Sequence, residues 1–485
     1  MISARNNTLW SLTARIFNIL IKSVAVIILA RFLGPNEFGV FTLIISTAAL
    51  FSVFIDLGFT PATARLLAES RWNNKEIIRI SATIIGVTFT LFAFVFYSKS
   101  HHLFELLNAK VLNDFTFLFI ALVLTTISTK YLKKCFEGLR RVDLSSKYSL
   151  LFEWAPWTFA IVFVFFLRPS AGYALSGKLL GMAIFVIALI YLLNKIGLKG
   201  KTEQIRSSVS TKRVFSYALP MMATAISFYI YTHSDILIIQ GILGEKHVGI
   251  YGVAVKLMET LHVPAAAIGS GVAAFFVITK DNTKEKASKL LYNSSRLILL
   301  FFLPLAIGLA VTAHDLFPFV FGIEYKNAAI IAIIYTPTLL AKSLSGTYSL
   351  ALDYMGFAKK RAIAISISAL LNVGLNFVLI PKYGIIGAAI TTQITYIPLF
   401  IWYSITLMKI TGSSFKHLGK IILPIAISSV SMGALVFSIN QLTSLHIIFQ
   451  ISIGAFTYLV LGLFLGVLKK TDITRIMKNK NNEPE

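Results

Sequence analysis

The sequence has one cysteine, Cys135, and few charged residues, which fill only 14% of its 485 positions. A single cysteine cannot form a disulfide framework or a cysteine-based metal site within one chain. Soluble domains usually have nearer ~25% charged residues, so this composition cannot supply a soluble surface. The hydrophobic share of 56% instead predicts an integral membrane protein.

Acidic residues are also scarce, because 21 Asp and Glu stand against 45 Lys and Arg, which gives a net charge of +24. Such an excess could indicate a nucleic-acid partner. The bases, however, lie in short clusters between apolar runs rather than on one soluble face. We therefore expect no nucleic-acid partner and attribute the basic residues to membrane topology.

Apolar windows long enough to cross a bilayer, roughly 20 residues each, recur along the whole chain. They lie at 9–31, 38–59, 77–97, 111–132, 146–167, 173–194, 215–243, 248–278, 290–313, 327–350, 362–380, 384–408, 421–439 and 446–468. The windows predict an all-α polytopic protein with about fourteen transmembrane helices.

Lys and Arg alternate between rich and poor loops along these windows. The rich loops fall at 65–79, 130–147, 195–213, 280–289, 359–361, 409–420 and 469–480, whereas the loops between them have at most two bases each. Short cytoplasmic loops carry the excess of positive charge, so this alternation predicts that both termini are cytoplasmic. We expect a multi-pass protein of the bacterial cytoplasmic (inner) membrane.

The predicted outside loops are too short for a folded catalytic domain. The longest run over 98–110 and 314–326. We therefore expect no enzyme activity, no catalytic residues, no metal site and no cofactor, while coupling of transport to a proton or sodium gradient stays open.

Two turns of the sequence repeat each other. The segment Leu33-Gly34-Pro35-Asn36-Glu37-Phe38-Gly39 follows the first predicted helix, and Leu243-Gly244-Glu245-Lys246-His247-Val248-Gly249 follows the seventh. Leucine and both glycines match without a gap, although such turns also recur by chance. Six helices per half is an even number, so the halves share one orientation and are related by a pseudo-two-fold axis along the membrane normal.

The repeat predicts five regions. They are an N-terminal six-helix lobe at 1–194, a cytoplasmic linker at 195–213, a C-terminal six-helix lobe at 214–408, an additional helix pair at 409–468 and a basic cytoplasmic tail at 469–485. Transporters of this kind bind substrate between the halves near mid-membrane and alternate access by rocking one half against the other.

Polar side chains inside the spans are candidate site residues, because a charge at the bilayer centre costs roughly 2.5–3.5 kcal/mol. In the first helix Arg15, Asn18 and Lys22 share one face. Arg15 could simply snorkel to the cytoplasmic interface, but Lys22 lies deeper and snorkels less easily.

The eighth span has a second polar stripe, in which Lys256, Glu259 and His262 are spaced by three residues. Lys256 and Glu259 could neutralise each other as a structural pair, or the stripe could line the transport pathway. Both interpretations stay open from sequence, and we favour the pathway.

Three further spans contribute candidates. Tyr231 and Asp235 lie on one face of the seventh helix, and Asp235 is the foremost candidate for ion coupling, although it could equally be the fixed counter-ion of Lys22 or Lys256. Asp56 in the second helix is another coupling candidate, and Lys342 in the tenth is another cavity candidate. Asp56 and Lys342 could also be interfacial.

Several segments resemble a known family. They are Ala30-Arg31-Phe32-Leu33-Gly34-Pro35-Asn36-Glu37-Phe38-Gly39, Asp56-Leu57-Gly58-Phe59, Ala64-Arg65-Leu66-Leu67-Ala68 and Ile380-Pro381-Lys382-Tyr383-Gly384-Ile385-Ile386-Gly387-Ala388-Ala389. Together with the helix count they resemble the polysaccharide-biosynthesis or O-antigen flippases of the multidrug and oligosaccharidyl-lipid exporter superfamily.

This resemblance implies a V-shaped bundle of two six-helix lobes with two extra C-terminal helices. It implies a flippase that moves an undecaprenyl-diphosphate-linked oligosaccharide, such as an O-antigen repeat unit of lipopolysaccharide, from the cytoplasmic to the outer leaflet. Its partners would be that lipid-linked oligosaccharide, membrane lipids and other polysaccharide-assembly membrane proteins. By helix position, we expect Arg15, Lys22 and Lys256 to attract the diphosphate and Tyr231 to contact a sugar.

Three other functions compete with this interpretation. A multidrug or cation antiporter of the same superfamily would prefer an acidic, aromatic cavity, whereas the deep charges here lean positive. A membrane glycosyltransferase or polymerase would need a sizeable loop with catalytic carboxylates. A channel is less favoured because no filter-like ring of carbonyls or charges is recognisable.

Overall fold

The computed structural model describes residues 4–69, 72–106, 110–196, 209–273, 284–443 and 445–467. These residues form α-helices and short 3₁₀ turns, with no β-strand among them. The helices are α1 Ala4–Asp56, α2 Phe59–Ala68, α3 Asn74–Leu106, α4 Thr116–Gly138, α5 Val142–Phe152, α6 Ala155–Phe166, α7 Ala171–Ile196, α8 Thr211–Leu243, α9 Glu245–Ala273, α10 Lys284–Phe321, α11 Ala328–Tyr354, α12 Ala358–Tyr383, α13 Ile385–Thr411, α14 Phe415–Leu442 and α15 Ile447–Phe464.

Twelve described stretches are long and apolar enough to cross a membrane. The first of them, Phe17–Asp56, spans 40 residues and contains a kink at Gly34, so it provides two crossings. Helix α9, at 29 residues, is also long enough to cross, although its composition is less apolar. Fourteen crossings result, and the predicted all-α polytopic fold class is confirmed.

The chain forms two compact units within the described residues. The first contains Met1–Thr260 with Ala362–Thr391, and the second contains Leu261–Arg361 with Thr392–Glu485. Most of the predicted linker and all of the predicted basic tail lie outside the described residues. The predicted lobe boundaries therefore remain a prediction.

In the first unit α1 is the central helix and contacts α4, α5, α6, α7 and α8. Its kink arises at Gly34, whose φ of 68° is a conformation that glycine adopts without steric cost. Gly244, the matching glycine of the repeat, has a φ of 83° and separates α8 from α9 in the same way. The two turns found in the sequence therefore have the same backbone geometry.

These two turns also contact each other. Gly39 packs against the carbonyl oxygen of Glu245, and Gly249 packs against that of Pro35, each so closely that an added Cβ would overlap the oxygen. An ideal Cβ at Gly249 would also lie 3.1 Å from the Gly39 nitrogen. The contact is reciprocal, as expected for two elements related by a pseudo-two-fold axis.

The fifth crossing differs from the continuous helix predicted at 146–167. It breaks into α5 and α6 around Glu153 and Trp154. Pro156 occupies the first turn of α6, where its missing N–H costs nothing, whereas inside a continuous helix it would remove a hydrogen bond. The break places Glu153 and Trp157 at an interruption of the helix.

In the second unit α10 packs against α11, α14 and α15. The Tyr348 and Ser295 hydroxyls lie 2.8 Å apart, and the Arg296 guanidinium donates to the Val467 carbonyl at 2.9 Å. Gly433 of α14 packs against the Ile307 side chain, which allows close approach of the two helices. The contacts of Arg296 and Gly433 attach the two additional C-terminal helices to α10, and the Tyr348–Ser295 contact joins α11 to it.

Candidate functional site

Three lysines on different helices of the first unit lie within electrostatic range of one another. Lys22 is on α1, Lys178 on α7 and Lys256 on α9, and the cations that act on Lys178 are the other two. We call these three residues the basic cluster. Like charges inside a membrane repel strongly, so such a group persists only where counter-charges, water or an anionic ligand offset the repulsion.

Two carboxylates accompany the basic cluster. The Lys256 ammonium lies 2.9 Å from Glu259 Oε2, with the two side chains 16% and 31% exposed. The structural pair considered from the sequence therefore exists. Lys22 has no ion pair or hydrogen bond of its own in the described part of the chain, although Glu259 and Glu153 both act on its charge. The Lys22 charge is thus left for another partner.

Glu153, at the break between α5 and α6, joins three crossings. Its Oε2 accepts from Lys133 Nζ of α4 at 2.9 Å and from Asn18 Nδ2 of α1 at 3.2 Å. Asn18 Oδ1 is buried and has no hydrogen-bond partner among the residues that the structure describes. The predicted site residue Asn18 therefore orients a carboxylate beside the basic cluster.

Lys178 is the most deeply buried member of the cluster, with only 8% of its surface exposed. Its ammonium lies 3.6 Å from the centre of the Trp157 ring, close enough for a strong cation–π interaction. The sequence analysis did not identify Lys178. The available signal was a lysine in the middle of the otherwise apolar window 173–194.

Helix α8 presents aromatic side chains to the same region. Lys130 Nζ lies 4.4 Å from the centre of the Tyr229 ring and donates to Ser52 Oγ at 2.9 Å. The Tyr229 ring packs on His233, whose strongest charged neighbour is Lys256. Tyr231, the predicted sugar contact, is 5% exposed and lies in the core of the first unit.

The other predicted cavity residues belong to other parts of the chain or are not described by the structure. The side chain of Arg15 is outside the described residues. His262 is half-buried on α9, just past the boundary between the units. Lys342 belongs to the second unit, where its ammonium lies 5.7 Å from the Tyr335 ring centre and 5.6 Å from that of Tyr396.

The two coupling candidates have different surroundings. Asp56 accepts from the backbone N–H of Thr60 at 3.0 Å and from the Thr60 hydroxyl, so it caps the start of α2. Asp235 is 4% exposed and accepts from the Tyr251 hydroxyl across the α8–α9 turn. No group of three or more His, Cys, Asp or Glu side chains suited to a metal ion occurs in the ranges described.

A polar cluster joins α2 to the beginning of α8 at the end that we predict to be cytoplasmic. The Tyr217 hydroxyl donates to Glu69 Oε1 at 3.0 Å, and Trp72 Nε1 donates to Glu69 Oε2 at 3.1 Å. The guanidinium of Arg65 lies 4.7 Å from the centre of the Tyr217 ring. The beginning of α8 is therefore held against the end of α2, in addition to the contact between the two glycine turns.

The profile of a family described as "Polysaccharide biosynthesis protein" matches residues 4–275, which is more than half of the sequence. The chain belongs to this family. The resemblance read from the sequence motifs is thus confirmed. The matched residues include all three lysines of the basic cluster and exclude Lys342. The match to the polysaccharide biosynthesis family therefore covers the part of the first unit that contains these buried charges.

Full-length relatives occur in archaea and bacteria. The chain is 23% identical to "Probable low-salt glycan biosynthesis flippase Agl15" of Haloferax volcanii, over 95% of this chain and 93% of that protein. It is 24% identical to "Putative O-antigen transporter" of Shigella flexneri, over 81% and 94%. Both relatives have names of glycan flippases or transporters, and each matches this chain over more than four fifths of its length.

A solved structure has the same fold. It is "Lipid II flippase MurJ, inward closed conformation", with a TM-score of 0.73 at 16% identity, covering 94% of this chain and 98% of that one. At this identity the comparison supports the architecture alone. It supports the all-α polytopic architecture of this polysaccharide biosynthesis family member.

Proposed function

We propose that this protein translocates an undecaprenyl-diphosphate-linked oligosaccharide, an O-antigen or similar surface-polysaccharide repeat unit, from the cytoplasmic to the outer leaflet. The observation that carries the proposal is the basic cluster, in which the Lys22 charge has no ion-pair partner in the described residues. A diphosphate supplies the negative charge that this arrangement lacks, and phosphate binds ammonium groups through charge-assisted hydrogen bonds.

The lipid-linked substrate accounts for the rest of the site. Its sugars are rich in hydroxyl groups, which Asn18, Glu153 and the aromatic Tyr229 can bind through hydrogen bonds and ring contacts. Its polyprenyl tail can stay in lipid while the polar head crosses. Family membership and the names of the relatives support the same class of substrate.

The proposed location is the bacterial cytoplasmic membrane with both termini in the cytoplasm. The alternation of basic and base-poor loops supports this orientation. It places the Tyr217–Glu69 cluster on the cytoplasmic side and the glycine turns on the outer side. Alternating access then requires each of these contacts to separate once per cycle.

Deleting the gene tests the function. We expect surface glycan to disappear and lipid-linked repeat units to accumulate on the cytoplasmic face, where an impermeant glycosidase outside the cell cannot reach them. Drug sensitivity should be unchanged. Normal surface glycan in a strain without a redundant transporter would reject the proposal, and altered drug sensitivity with intact glycan would favour the antiporter instead.

We also propose that Asp235 couples translocation to a proton or sodium gradient. Asp235 is a carboxylate that is 4% exposed within a membrane-spanning helix, and it accepts a hydrogen bond from the Tyr251 hydroxyl, which orients it. Buried carboxylates inside membranes are common members of proton and ion pathways. Because Asp235→Asn keeps the size and removes the charge, we expect it to lower gradient-driven translocation about tenfold while passive substrate binding is retained.

Proteoliposomes with imposed proton or sodium gradients provide the measurement. Collapse of each gradient by its own ionophore identifies the coupling ion in the unmodified protein. Tyr251→Phe is the matched control, because it removes the hydrogen bond and leaves the carboxylate. Equal gradient dependence in the Asp235→Asn variant and the unmodified protein would exclude Asp235 from coupling.

A further inference from the structure

The first unit contains a half-open cavity of about 170 Å³ that Lys178 of the basic cluster lines. Its lining comes from α1, α4, α7 and the broken fifth crossing: Ile45, Ala48, Leu122, Thr126, Thr129, Glu153, Pro156, Trp157, Lys178, Met182 and Phe185. One water needs only roughly 10–15 Å³, and pockets for drug-sized ligands run from roughly 300 Å³ upward. The cavity therefore suits one small ring rather than a chain of sugars.

Lys178 supplies the positive charge of this cavity. In the described part of the chain its ammonium has no carboxylate within ion-pair distance and contacts the Trp157 ring instead. The charges that act on it most strongly, Lys22 and Lys256, are also positive. A buried ammonium in this environment is electrostatically unsatisfied, and an anionic group entering the cavity would satisfy it.

Three further side chains of the lining, Thr126, Thr129 and Glu153, can accept or donate hydrogen bonds. The Thr129 hydroxyl is buried and has no hydrogen-bond partner among the residues described. Glu153 uses Oε2 for Lys133 and Asn18, and its Oε1 makes no hydrogen bond with the residues described. The lining also includes apolar side chains such as Leu122 and Met182. The cavity thus combines one cation, two hydroxyls and one carboxylate acceptor with apolar side chains.

We propose that this cavity binds a single acidic sugar ring, with its carboxylate on the Lys178 ammonium. This inference rests on the proposed function and adds the substrate class, a glycan that contains a carboxylate-bearing sugar. The ring hydroxyls bind Thr129 and Glu153, and the C–H face of the ring packs on Leu122 and Met182.

The lining favours an acidic sugar over the other small anions. A phosphate carries up to two charges and would lie beside the Glu153 carboxylate, whereas a sugar carboxylate carries one charge and matches one ammonium. A neutral sugar would leave Lys178 unsatisfied. An oxyanion without a ring would leave the apolar walls and the Thr129 hydroxyl uncovered.

Binding to the purified full-length protein in nanodiscs tests the proposal, with glucuronate, glucose and inorganic phosphate as probes in calorimetric titrations. We expect glucuronate to bind roughly tenfold to a hundredfold more tightly than glucose or phosphate, because a charge-assisted hydrogen bond is formed only by the carboxylate of a fitting ring. Lys178→Met should abolish this preference, and Lys178→Arg should retain part of it. Lys420→Met, at an exposed position, is the control and should bind like the unmodified protein.

If Lys178→Met fails to fold, Thr129→Val takes its place. We expect Thr129→Val to weaken the binding of glucuronate and of glucose equally, so that the preference for glucuronate is kept. Phosphate binding as tight as glucuronate binding, or an unchanged preference in a folded Lys178→Met variant, would overturn the proposal. The readout uses free sugars without a lipid. Glucuronate preference in a protein that fails to export lipid-linked glycan would therefore contradict the proposed function alone.

Discussion

Replacing Lys22 and Lys256 together by methionine is expected to reduce glycan export roughly a hundredfold at matched protein levels. A hydrogen bond to a charged group contributes roughly 1.5–3 kcal/mol, so losing two phosphate contacts costs at least this factor. Methionine keeps the length and apolar stem of lysine and removes the charge. Export is measured as surface glycan per copy of membrane-inserted protein.

The two single substitutions distinguish the loss of a substrate contact from the loss of an ion pair. Lys256→Met leaves Glu259 without its ion-pair partner, so part of its effect arises from an unpaired carboxylate, and adding Glu259→Gln should recover that part. Lys22→Met breaks no ion pair in the described residues, so its loss of export would report substrate contact directly. Lys382→Met, an exposed position predicted to face outward, is the control. Unchanged export in the double variant would remove both lysines from the site.

Most of the fold was predictable from the sequence because two independent signals agree. Hydropathy identifies most crossings by itself, but α9 carries Lys256, Glu259 and His262 and is less apolar than the others. The alternation of basic loops requires a crossing at that point, since its omission would reverse the pattern midway. The break of the fifth crossing at Glu153 was harder to predict from the sequence, because Pro156 is compatible with either a kink or a new helix start.

The site was predictable only where its residues share a helix. Offsets of three and four residues place Asn18 and Lys22 on one face, and they pair Lys256 with Glu259. The contacts of Glu153 with Lys133 and Asn18 join residues that are far apart in the chain, and no periodicity encodes them. For the same reason Lys178 was missed, since its neighbours Lys22 and Lys256 lie on other helices.

The residues of α8 show that even the choice of helix face is difficult to predict from sequence. A single sequence predicts a polar face containing Tyr231 and Asp235, and the structure adds Tyr229, whose ring lies over Lys130, and His233, on which the charge of Lys256 acts. These residues lie two positions away on the same helix, which is about half a turn. Which face of a helix meets a basic cluster depends on packing against neighbours, which composition alone does not fix.

The reciprocal contact between the two glycine turns provides the last prediction. We expect Gly39→Ala and Gly249→Ala each to hold the outer ends of α1 and α9 apart, because the added methyl group would overlap a backbone carbonyl oxygen that cannot rotate away. A transporter that cannot close one side cannot complete alternating access, so export should fall roughly a hundredfold or more. The two variants should behave alike, since the contact is reciprocal.

Thiol accessibility distinguishes an open outer side from a misfolded protein. In a Cys135→Ala background, Ser46→Cys places one thiol two helical turns beyond Gly39 on α1, at a side chain that is 1% exposed. An impermeant maleimide added outside the cell should label this thiol faster in the Gly39→Ala and Gly249→Ala variants. Gly86→Ala, where an added Cβ meets no atom within 4 Å, should leave export and labelling unchanged. Normal export by the Gly249→Ala variant would show that the two turns need not touch during transport. Slow labelling together with lost export would show that the glycines are needed for folding and not for closure of the outer side.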